Sequence, residues 1–276
     1  MARGRDAVPD NDALIGPVPA PQLSVMTFNV LRARKGSAGW LRRRDSMRAL
    51  LRREQPTILG AQEVLPHQAD VVRDALGASY RFVGRGRDAD GGGEGCPVFW
   101  DDARLELVDW DQRALSARPD VAGSRSWGTL FPRILTRVQF TDRATGARLL
   151  MINTHLDVLS PLARARSAAI LADNAGDGAA LITGDFNAGP ESAPRRRLDA
   201  AGFADTWALA STHLTREWGT YASRRRPRSG GTRIDAIHAR GFDVVSAGIG
   251  ARPVRGGRAS DHLPVQVVVR MRGAVA

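Results

Sequence analysis

The sequence predicts an α/β protein in which two β-sheets pack against each other and helices lie outside them. Short apolar segments typical of buried strands occur along the whole chain of 276 residues. Amphipathic segments typical of helices are too few for a strict alternation of strand and helix, and they fall between groups of strands. With 43% hydrophobic residues, the chain can fill one large core.

We expect residues 23–276 to form one folded domain behind a flexible N-terminal tail formed by residues 1–22. The tail contains several prolines and shows little hydrophobic periodicity. Beyond it we find no linker long enough to separate two domains and no internal repeat at a fixed period.

The domain begins with a strand, a helix, a second strand and a second helix. The strands are predicted at residues 23–30 and 56–64, where apolar residues lead into polar ones. The second helix is predicted at residues 67–77, with Gly77 at its end. The first helix, at residues 40–55, places four apolar residues on one face and arginines opposite them: Trp40, Met47, Leu50 and Leu51.

Strands return in the second half of the chain, at "ILTRVQF", "RLLMINTHLD", "AALITGDFN", "WGTYAS", "RIDAIHA", "FDVVSAGIGA" and "PVQVVVRM". A third helix is predicted at residues 161–176, whereas residues 109–130 show no clear pattern. The glycine-rich loop at residues 84–95 leads into an apolar strand. A phosphate-cradling loop would open a helix, so we interpret this loop as a hinge or an active-site loop.

The net charge of the chain does not by itself identify its binding partner. The formal charge is +11, with 40 Lys and Arg residues against 29 Asp and Glu residues. Such basicity favours a polyanion such as nucleic acid. However, Lys35 is the only lysine, and the preference for arginine, alanine and glycine is typical of a GC-rich genome.

Nothing in the sequence indicates secretion or insertion into a membrane. Cys96 is the single cysteine, which excludes an internal disulfide. No apolar run approaches the roughly 18 residues of a membrane span, and the N-terminal residues lack the apolar core of a signal peptide. We therefore expect a cytoplasmic protein, and we expect it to be a monomer.

Polar side chains stand at the ends of many predicted strands. Asp185 and Asn187 follow an apolar strand, and side chains two positions apart on a strand point the same way. The other polar residues at strand ends or just before the last strand are Asn29, Glu63, His155, Asp235, Asp261 and His262. The pattern predicts that the strands hold these polar side chains rigidly in one functional site at the edge of the sheets.

The residue types in this set favour metal-assisted hydrolysis of a phosphate ester. Carboxylate and carboxamide oxygens favour Mg²⁺ or Mn²⁺ over zinc, and such an ion keeps positions for water and a substrate phosphate. A carboxylate such as Asp235 or Glu94 can orient a histidine that handles a proton. The sequence contains no GxSxG motif, and Cys96 has no evident base beside it, so covalent catalysis is disfavoured.

Six motifs follow one another along the chain: "MTFNV", "LGAQEV", "INTHLD", "TGDFN", "RIDAI" and "SDHLPV". In this order they resemble the endonuclease/exonuclease/phosphatase superfamily, which includes deoxyribonuclease I, exonuclease III, inositol polyphosphate 5-phosphatases and neutral sphingomyelinases. The resemblance covers about residues 23–270, and the segments 84–100 and 132–138 are most similar to bacterial members of uncertain substrate. It implies a four-layer α/β/β/α sandwich of two mostly antiparallel sheets. It also implies that residues 23–276 are a catalytic domain that hydrolyses a phosphoester by in-line attack of water.

The resemblance further implies roles for the motif residues. Glu63 would be the principal ligand of Mg²⁺ or Mn²⁺, Asn29 would lie beside it, and Asp261 would support the metal. Asp185 would orient or deprotonate the attacking water, and Asn187 would hold the scissile phosphate.

The remaining roles concern the histidines and their neighbours. His262, paired with Asp235, would contact the phosphate or transfer a proton. His155, oriented by Glu94, would bind a phosphate oxygen. Arg133 would add a further phosphate contact.

Three functions stay open on this basis. A nuclease or phosphodiesterase acting on nucleic acid is favoured by the basic loop 223–231, whose Arg224 and Arg226 would bind substrate phosphates unless the loop is merely solvated. A phosphatase or phosphodiesterase for inositol, lipid or other small phosphates fits the same motifs. A non-catalytic binding module is disfavoured, because none of the main motif positions has lost its polar residue.

Overall fold

The computed structural model describes residues 12–223, 226–254 and 257–273 of the chain. The strands within these residues are β1 (Gln22–Asn29), β2 (Ile58–Gln62), β3 (Tyr80–Val83), β4 (Val98–Asp101), β5 (Leu105–Ala114), β6 (Ile134–Asp142), β7 (Arg148–His155), β8 (Ala180–Asp185), β9 (Ala204–Asp205), β10 (Thr212–His213), β11 (Asp235–Arg240), β12 (Phe242–Ile249) and β13 (Val265–Met271). The helices are α1 (Ala38–Glu54), α2 (Pro66–Leu76), α3 (Pro161–Asp173), α4 (Ala193–Ala200) and α5 (Thr206–Leu209).

The strands form two mixed sheets. The first sheet has the order β10-β12-β13-β1-β2-β4-β3, and the second has the order β5-β6-β7-β8-β11-β9. The pairs β1–β2, β7–β8 and β10–β12 are parallel. The other strand pairs are antiparallel. The predicted pair of mostly antiparallel sheets is therefore confirmed.

Three apolar clusters separate four layers. One cluster lies between the two sheets and includes both Val25 of β1 and Met151 of β7. A second packs α1 and α2 on the outer face of the first sheet and includes Met47 and Phe28. A third packs α3 and α4 on the second sheet around Leu171. This is the α/β/β/α sandwich that the resemblance implied.

Alternation along the strands decides where the polar residues point. In β1, Leu23 and Val25 belong to the cluster between the sheets, whereas Met26 and Phe28 belong to the cluster under the helices. Side chains alternate between the two faces of a strand, so Asn29 shares the face of Leu23 and Val25. The same alternation turns residues near the ends of β2, β7 and β8 towards the space between the sheets: Gln62, Asn153, His155, Thr183 and Asp185.

A buried hydrogen-bond network spans the two sheets just behind this end. Gln62 Nε2 donates to Thr27 Oγ1 at 3.0 Å and to Asn153 Oδ1 at 2.7 Å. Thr183 Oγ1 donates to Asn153 Oδ1 at 3.0 Å. The sheets approach closely here, because a Cβ on Gly60 would lie 2.2 Å from Thr183 Oγ1. The network therefore sets the spacing of the sheets beneath the polar strand ends.

The three predicted helices are present as α1, α2 and α3. Ser37 caps α1, since its side chain accepts a hydrogen bond from Trp40 N at 3.4 Å, and Trp40 and Leu51 lie on its buried face. Pro66 and Pro161 occupy the first turns of α2 and α3, where a missing N–H is tolerated. Among the described residues, no helix combines the length and the apolar character needed to cross a membrane.

One predicted strand is wrong, and β5 and α4 are among the elements that the sequence did not predict. Residues 218–223 make only isolated bridges to Ser229 and His262. A Cβ on Gly219 would lie 2.9 Å from the backbone of Gly231, so this segment folds against a neighbouring turn rather than into a sheet. Strand β5 begins before the unassigned region and extends into it, and α4 is too short and too rich in arginine to show a clear apolar face.

The domain boundary at residue 22 stays a prediction, but part of the predicted tail contacts α1. Leu14 N donates to both carboxylate oxygens of Glu54, at 3.1 and 3.0 Å. Ile15 N donates to Glu54 Oε2 at 3.3 Å. These bonds attach Leu14 and Ile15 to the end of the helix.

Candidate active site

Strand register brings the predicted site residues to one edge of the two sheets. His155 and Asp185 end the parallel strands β7 and β8 and are paired. Strand β11 runs antiparallel to β8, so Asp235 pairs with Asp185 as well. Asp235 therefore begins its strand, whereas the sequence pattern had grouped it with residues at strand ends. In the first sheet, Asn29 ends β1 and Glu63 follows β2 directly.

Asp185 lies at the centre of this group and is 1% exposed. Its Oδ2 accepts a hydrogen bond from Asn29 Nδ2 at 3.1 Å. The same oxygen lies 3.6 Å from His155 Nε2 and 3.7 Å from His262 Nε2. Burial, and then the charge of Asp235, raise the pKa of Asp185 to about 7. A carboxylate with such a pKa can accept a proton from water near neutral pH.

Glu63 and Asp185 accept hydrogen bonds from the same side-chain amide. Asn29 Nδ2 donates to Glu63 Oε1 at 3.0 Å, and Arg32 N donates to Glu63 Oε2 at 3.1 Å. Asn29 Oδ1 accepts from Leu31 N at 3.0 Å. Asn29 therefore links the two carboxylates, and its role as a metal ligand stays a prediction. Glu63 has a φ of 59°, a left-handed conformation that is strained for residues other than glycine and recurs at functional sites.

His262 contacts Asp235, the carboxylate expected to orient it, with 2.8 Å between Nδ1 and Oδ2. Burial by itself would lower the pKa of His262, but Asp235 and then Asp185 outweigh it and raise the pKa to about 10. Ser260 Oγ donates to Asn29 O at 2.7 Å and accepts from His262 N at 3.2 Å, which fixes the backbone. His262 is therefore a protonated imidazolium at neutral pH.

His155 lies on the other side of Asp185 and is neutral. Asn187 Nδ2 donates to His155 Nε2 and to Leu156 O, each at 3.0 Å. Burial lowers the pKa of His155 well below its usual value, and the positive charge of Arg133 lowers it further. Asn187 N also donates to Asp185 Oδ1 at 2.9 Å, which closes a turn of the Asx type. Asp185 and Asn187 therefore form the turn and also belong to the polar site.

Two of the residues predicted to bind substrate line a cleft beside this group. Arg133 is 5% exposed and lines the cleft together with Glu63 and His155. Glu94 lines the same cleft, but its carboxylate pairs with Arg87. The resemblance had suggested that Glu94 orients His155, and the structure instead gives Glu94 an arginine partner.

Two further predicted residues, Asp261 and Arg226, are less buried than Asp185. Asp261 is partly exposed, and its Oδ1 accepts from Ser260 Oγ at 3.3 Å. Its backbone oxygen accepts from Ala222 N at 2.8 Å. Arg226 is exposed. Arg224 lies outside the described residues, so its predicted role stays a prediction.

Sequence reasoning missed residues that hold the site together. Arg43, on α1, donates to the carbonyl oxygens of two residues that follow β1 and to Ala259 O. It thereby ties the loop after β1 to the segment before His262. Tyr221 packs its ring on His262, with 4.9 Å between the ring centroids. Arg43 stands among arginine neighbours and Tyr221 stands in a segment predicted as a strand, so neither gave a signal in the sequence.

The donor set fits a hard divalent cation. Asp185, Asp235 and His262 each offer one ligand atom within 4.8 Å of the others. Asp235 Oδ1 is buried and lacks a hydrogen-bond partner among the described residues. His262 Nδ1 is already bonded to Asp235 Oδ2, so a cation at this trio would meet carboxylate oxygens and His262 Nε2. Oxygen-rich sites of this kind favour Mg²⁺ or Mn²⁺.

The geometry can be compared with known proteins. No curated protein matches the chain. Among solved structures, an endonuclease/exonuclease/phosphatase from Bacteroides vulgatus is 27% identical, with a TM-score of 0.84 over 91% of this chain and 99% of that one. A mannosyl-6-phosphatase from Bacteroides thetaiotaomicron is 25% identical, with a TM-score of 0.79 over 90% of this chain and 99% of that one.

More distant structures share the fold alone. TDP2 from D. rerio, in complex with a single-stranded DNA product, is 18% identical, with a TM-score of 0.68 over 91% of this chain and 100% of that one. The sequence model of the Endonuclease/Exonuclease/phosphatase family matches residues 26–262, which is most of the chain and includes the motif residues from β1 to His262. The chain therefore belongs to the endonuclease/exonuclease/phosphatase family.

Proposed function

We propose that the protein is a Mg²⁺- or Mn²⁺-dependent hydrolase that cleaves a phosphoester bond by in-line attack of water. Members of its family are hydrolases that act on phosphoesters, and the proposal adds the metal and the residue roles. The observation that carries it is Asp185, a buried carboxylate with a pKa of about 7 that lies between His155 and His262.

Asp185 is the base in this proposal. Its pKa of about 7 leaves much of it ionised at neutral pH. Hydrogen bonds from Asn29 Nδ2 and Asn187 N fix the orientation of its two oxygens. A water held between this carboxylate and the substrate phosphorus would lose its proton to Asp185 as the new P–O bond forms.

The two histidines have different tasks. His262 is protonated on both ring nitrogens, so Nδ1 donates to Asp235 and Nε2 can donate to a phosphate oxygen. His155 is neutral, and Asn187 already uses its side-chain N–H groups on His155 Nε2 and Leu156 O. Asn187 therefore acts by positioning His155 rather than by a free N–H of its own.

Glu63 is the residue that we expect to hold the metal, with Asn29 and Asp261 as its predicted neighbours. A bound Mg²⁺ or Mn²⁺ would neutralise charge on the phosphoryl oxygens and stabilise the departing alkoxide. Arg133 lines the same cleft as Glu63, and its guanidinium would bind a non-bridging phosphate oxygen.

A hydrolysis panel with and without metal tests the proposal. The substrates are p-nitrophenyl phosphate, mannose 6-phosphate, inositol phosphates, bis(p-nitrophenyl) phosphate, single-stranded DNA and RNA. We expect turnover of at least one of them with Mg²⁺ or Mn²⁺, loss of turnover in excess EDTA, and recovery when the metal is restored. Full activity in excess EDTA would contradict the metal site.

Within this class, the cleft favours a small phosphate ester over nucleic acid. Glu94 lines this cleft and its Oε2 lacks a hydrogen-bond donor among the described residues, which the acceptor oxygens of a second phosphate would not supply. The 25% identity with the mannosyl-6-phosphatase also supports a small phosphate ester as the substrate.

A nuclease is the second candidate. The net charge of +11 and exposed basic residues such as Arg32 and Arg226 favour a polyanion. Cleavage of DNA or RNA without release of phosphate from any small ester would select this alternative.

A further inference from the structure

The glycine-rich loop 84–95 is a compact hairpin fastened beside Glu63. Gly95 exchanges two backbone hydrogen bonds with Val64, at 2.8 and 3.1 Å. A Cβ on Gly86 would lie 1.9 Å from a carbonyl oxygen on the opposite side of the loop, so only glycine permits this approach. The loop therefore presents its side chains to the cleft in a fixed position.

Glu94 is the acidic side chain that this loop brings into the cleft, where it is 9% exposed. One of its carboxylate oxygens contacts Arg87, whose guanidinium lies 5.0 Å over the ring of Phe131. The other oxygen, Oε2, is buried and has no hydrogen-bond partner within the described ranges. Arg32 Nε lies 3.9 Å from Oε2, which is beyond hydrogen-bond distance. A buried carboxylate oxygen without a donor is destabilising, so Oε2 is poised to accept a hydrogen bond from a ligand.

Arg133 offers complementary donors. Its Nε and Nη1 are buried and lack a hydrogen-bond partner in the part of the chain that the structure describes. Its Nε lies 3.5 Å from Asp157 Oδ2, an ion pair at long distance. Arg133 and Glu94 line one cleft together with Glu63 and His155. The residues that carry this acceptor and these donors therefore line the same cleft, next to the groups proposed to act on the phosphate.

We propose that Glu94 binds a hydroxyl group of the substrate, and that the substrate is a sugar phosphate or the phosphate of another polyol. A hydroxyl donates its hydrogen to a carboxylate and accepts from a guanidinium through its oxygen. It would therefore satisfy Glu94 and accept one N–H of Arg133, whose other N–H groups stay available to the phosphate. This inference rests on the proposed hydrolysis and adds the class of alcohol that the reaction releases.

Other ligand groups fit the cleft less well. A second phosphate could accept from the arginines, but it presents only acceptor oxygens and would leave Glu94 Oε2 without a donor. An ammonium group would satisfy Glu94, but it would lie among the guanidinium groups of Arg32, Arg87 and Arg133. An apolar group would leave the oxygen of Glu94 and the donors of Arg133 without partners.

The first test compares two substrates of the unmodified protein. Hexose 6-phosphates and cyclohexylmethyl phosphate are all phosphates of a primary alcohol on a six-membered ring, but only the hexoses carry ring hydroxyls. The hexose phosphates to be tested, with Mg²⁺ or Mn²⁺, are glucose, mannose and galactose 6-phosphate. We expect kcat/KM for the best of them to exceed kcat/KM for cyclohexylmethyl phosphate by about 10-fold or more, because one charge-assisted hydrogen bond has an effect of this size. Equal values would overturn the inference.

The second test uses Glu94→Gln, which removes the charge and keeps the size of the side chain. We expect the ratio of the two kcat/KM values, hexose phosphate over cyclohexylmethyl phosphate, to fall by about 10-fold. If Glu94 served only to hold the loop through Arg87, both substrates would be affected alike and the ratio would not change. The matched control is Glu106→Gln, which alters an exposed carboxylate of β5 that pairs with Arg143. This control variant should keep the ratio of the unmodified protein.

Failure of this inference differs from failure of the proposed function. Hydrolysis of both esters with equal efficiency, or cleavage of nucleic acid without hydrolysis of any hexose phosphate, would overturn the hydroxyl site and leave metal-dependent hydrolysis standing. A lack of metal-dependent hydrolysis of every phosphoester in the panel would overturn both. If Glu94→Gln does not fold, the comparison of the two substrates decides the matter by itself.

Discussion

His262 and His155 lie on either side of Asp185, at 3.7 and 3.6 Å from the same carboxylate oxygen, but their surroundings differ in charge. On the His262 side, carboxylates led by Asp235 raise the pKa of the imidazole to about 10 in spite of burial. On the His155 side, burial and the positive charge of Arg133 lower the pKa well below its usual value. Burial disfavours the charged form of both imidazoles, and the comparison teaches that the neighbouring carboxylates are what keep His262 charged.

The difference divides the site into two halves with separate tasks. The half around His262 supplies a positive charge that a phosphate oxygen can use. The half around His155 keeps a neutral ring, held by Asn187, and takes its positive charge from Arg133. Asp185 belongs to both halves, so its removal tests the whole arrangement.

We expect the largest effect from Asp185→Asn. The variant keeps the shape of the side chain but removes the base, so kcat for phosphoester hydrolysis should fall by about 10²- to 10⁴-fold. Steady-state kinetics on the best substrate of the panel measure this. Asp243→Asn, which alters an exposed carboxylate paired with Arg272, is the control and should keep the activity of the unmodified protein. An Asp185→Asn variant with more than half of that activity would show that Asp185 is not the base.

The next largest effect is expected from Asp235→Asn, which removes the charge beside His262. The pKa of His262 should fall from about 10 towards its ordinary value, and the pKa of His155 should change little. NMR titration of the histidine ring protons of the metal-free protein measures both values. We expect kcat to fall by about 100-fold, since a neutral ring no longer offers a second N–H to phosphate. An unchanged titration of His262 would contradict the pairing.

The raised pKa of His262 also predicts how stability depends on pH. The folded pKa lies above the unfolded value, so the protonated ring stabilises the fold fully below about pH 6.5. This contribution should be lost as pH rises towards about 10. The free energy of unfolding, measured by urea denaturation across this range, should therefore fall more steeply in the unmodified protein than in Asp235→Asn. Parallel curves for the two proteins would rule out a raised pKa at this site.

A smaller effect on the other half is expected from Arg133→Met. The variant removes a positive charge beside His155, so the pKa of His155 should rise while that of His262 stays near 10. It also removes a donor to the substrate phosphate, and KM should increase about 10-fold. Arg137→Met, at a partly exposed arginine of β6 that bonds to Asn174 O, is the control. A pKa of His155 that does not move would show that the charge of Arg133 does not lower it.

The smallest effect is expected from Ser260→Ala. Ser260 Oγ joins Asn29 O to His262 N, so its loss should lower the free energy of unfolding by about 1 kcal/mol and reduce kcat a few-fold. Urea denaturation and steady-state kinetics measure the two changes. Ser229→Ala, at an exposed serine, should stay within about 0.5 kcal/mol of the unmodified protein. Equal effects of the two substitutions would show that Ser260 does not position His262.

Local pattern was a good guide wherever a residue's place depends on its own strand. The apolar run of β8 placed Asp185 at a strand end, and the structure finds it there. The pattern was a poor guide where a residue's place depends on a partner strand. Asp235 was grouped with strand ends because its strand was recognised but its direction was not, and only the antiparallel pairing with β8 brings it to the site.

The amino-acid sequence by itself determined the layers and the polar residues of this protein, because strand periodicity, helix caps and short motifs act over a few residues. The tertiary structure decided the charge states of His155 and His262, the pairing of Glu94 with Arg87, and the place of Arg43 between two loops. These properties depend on charges and carbonyl groups that lie far apart along the chain. Their energies depend on distance and burial, which exist only once the two sheets have packed together.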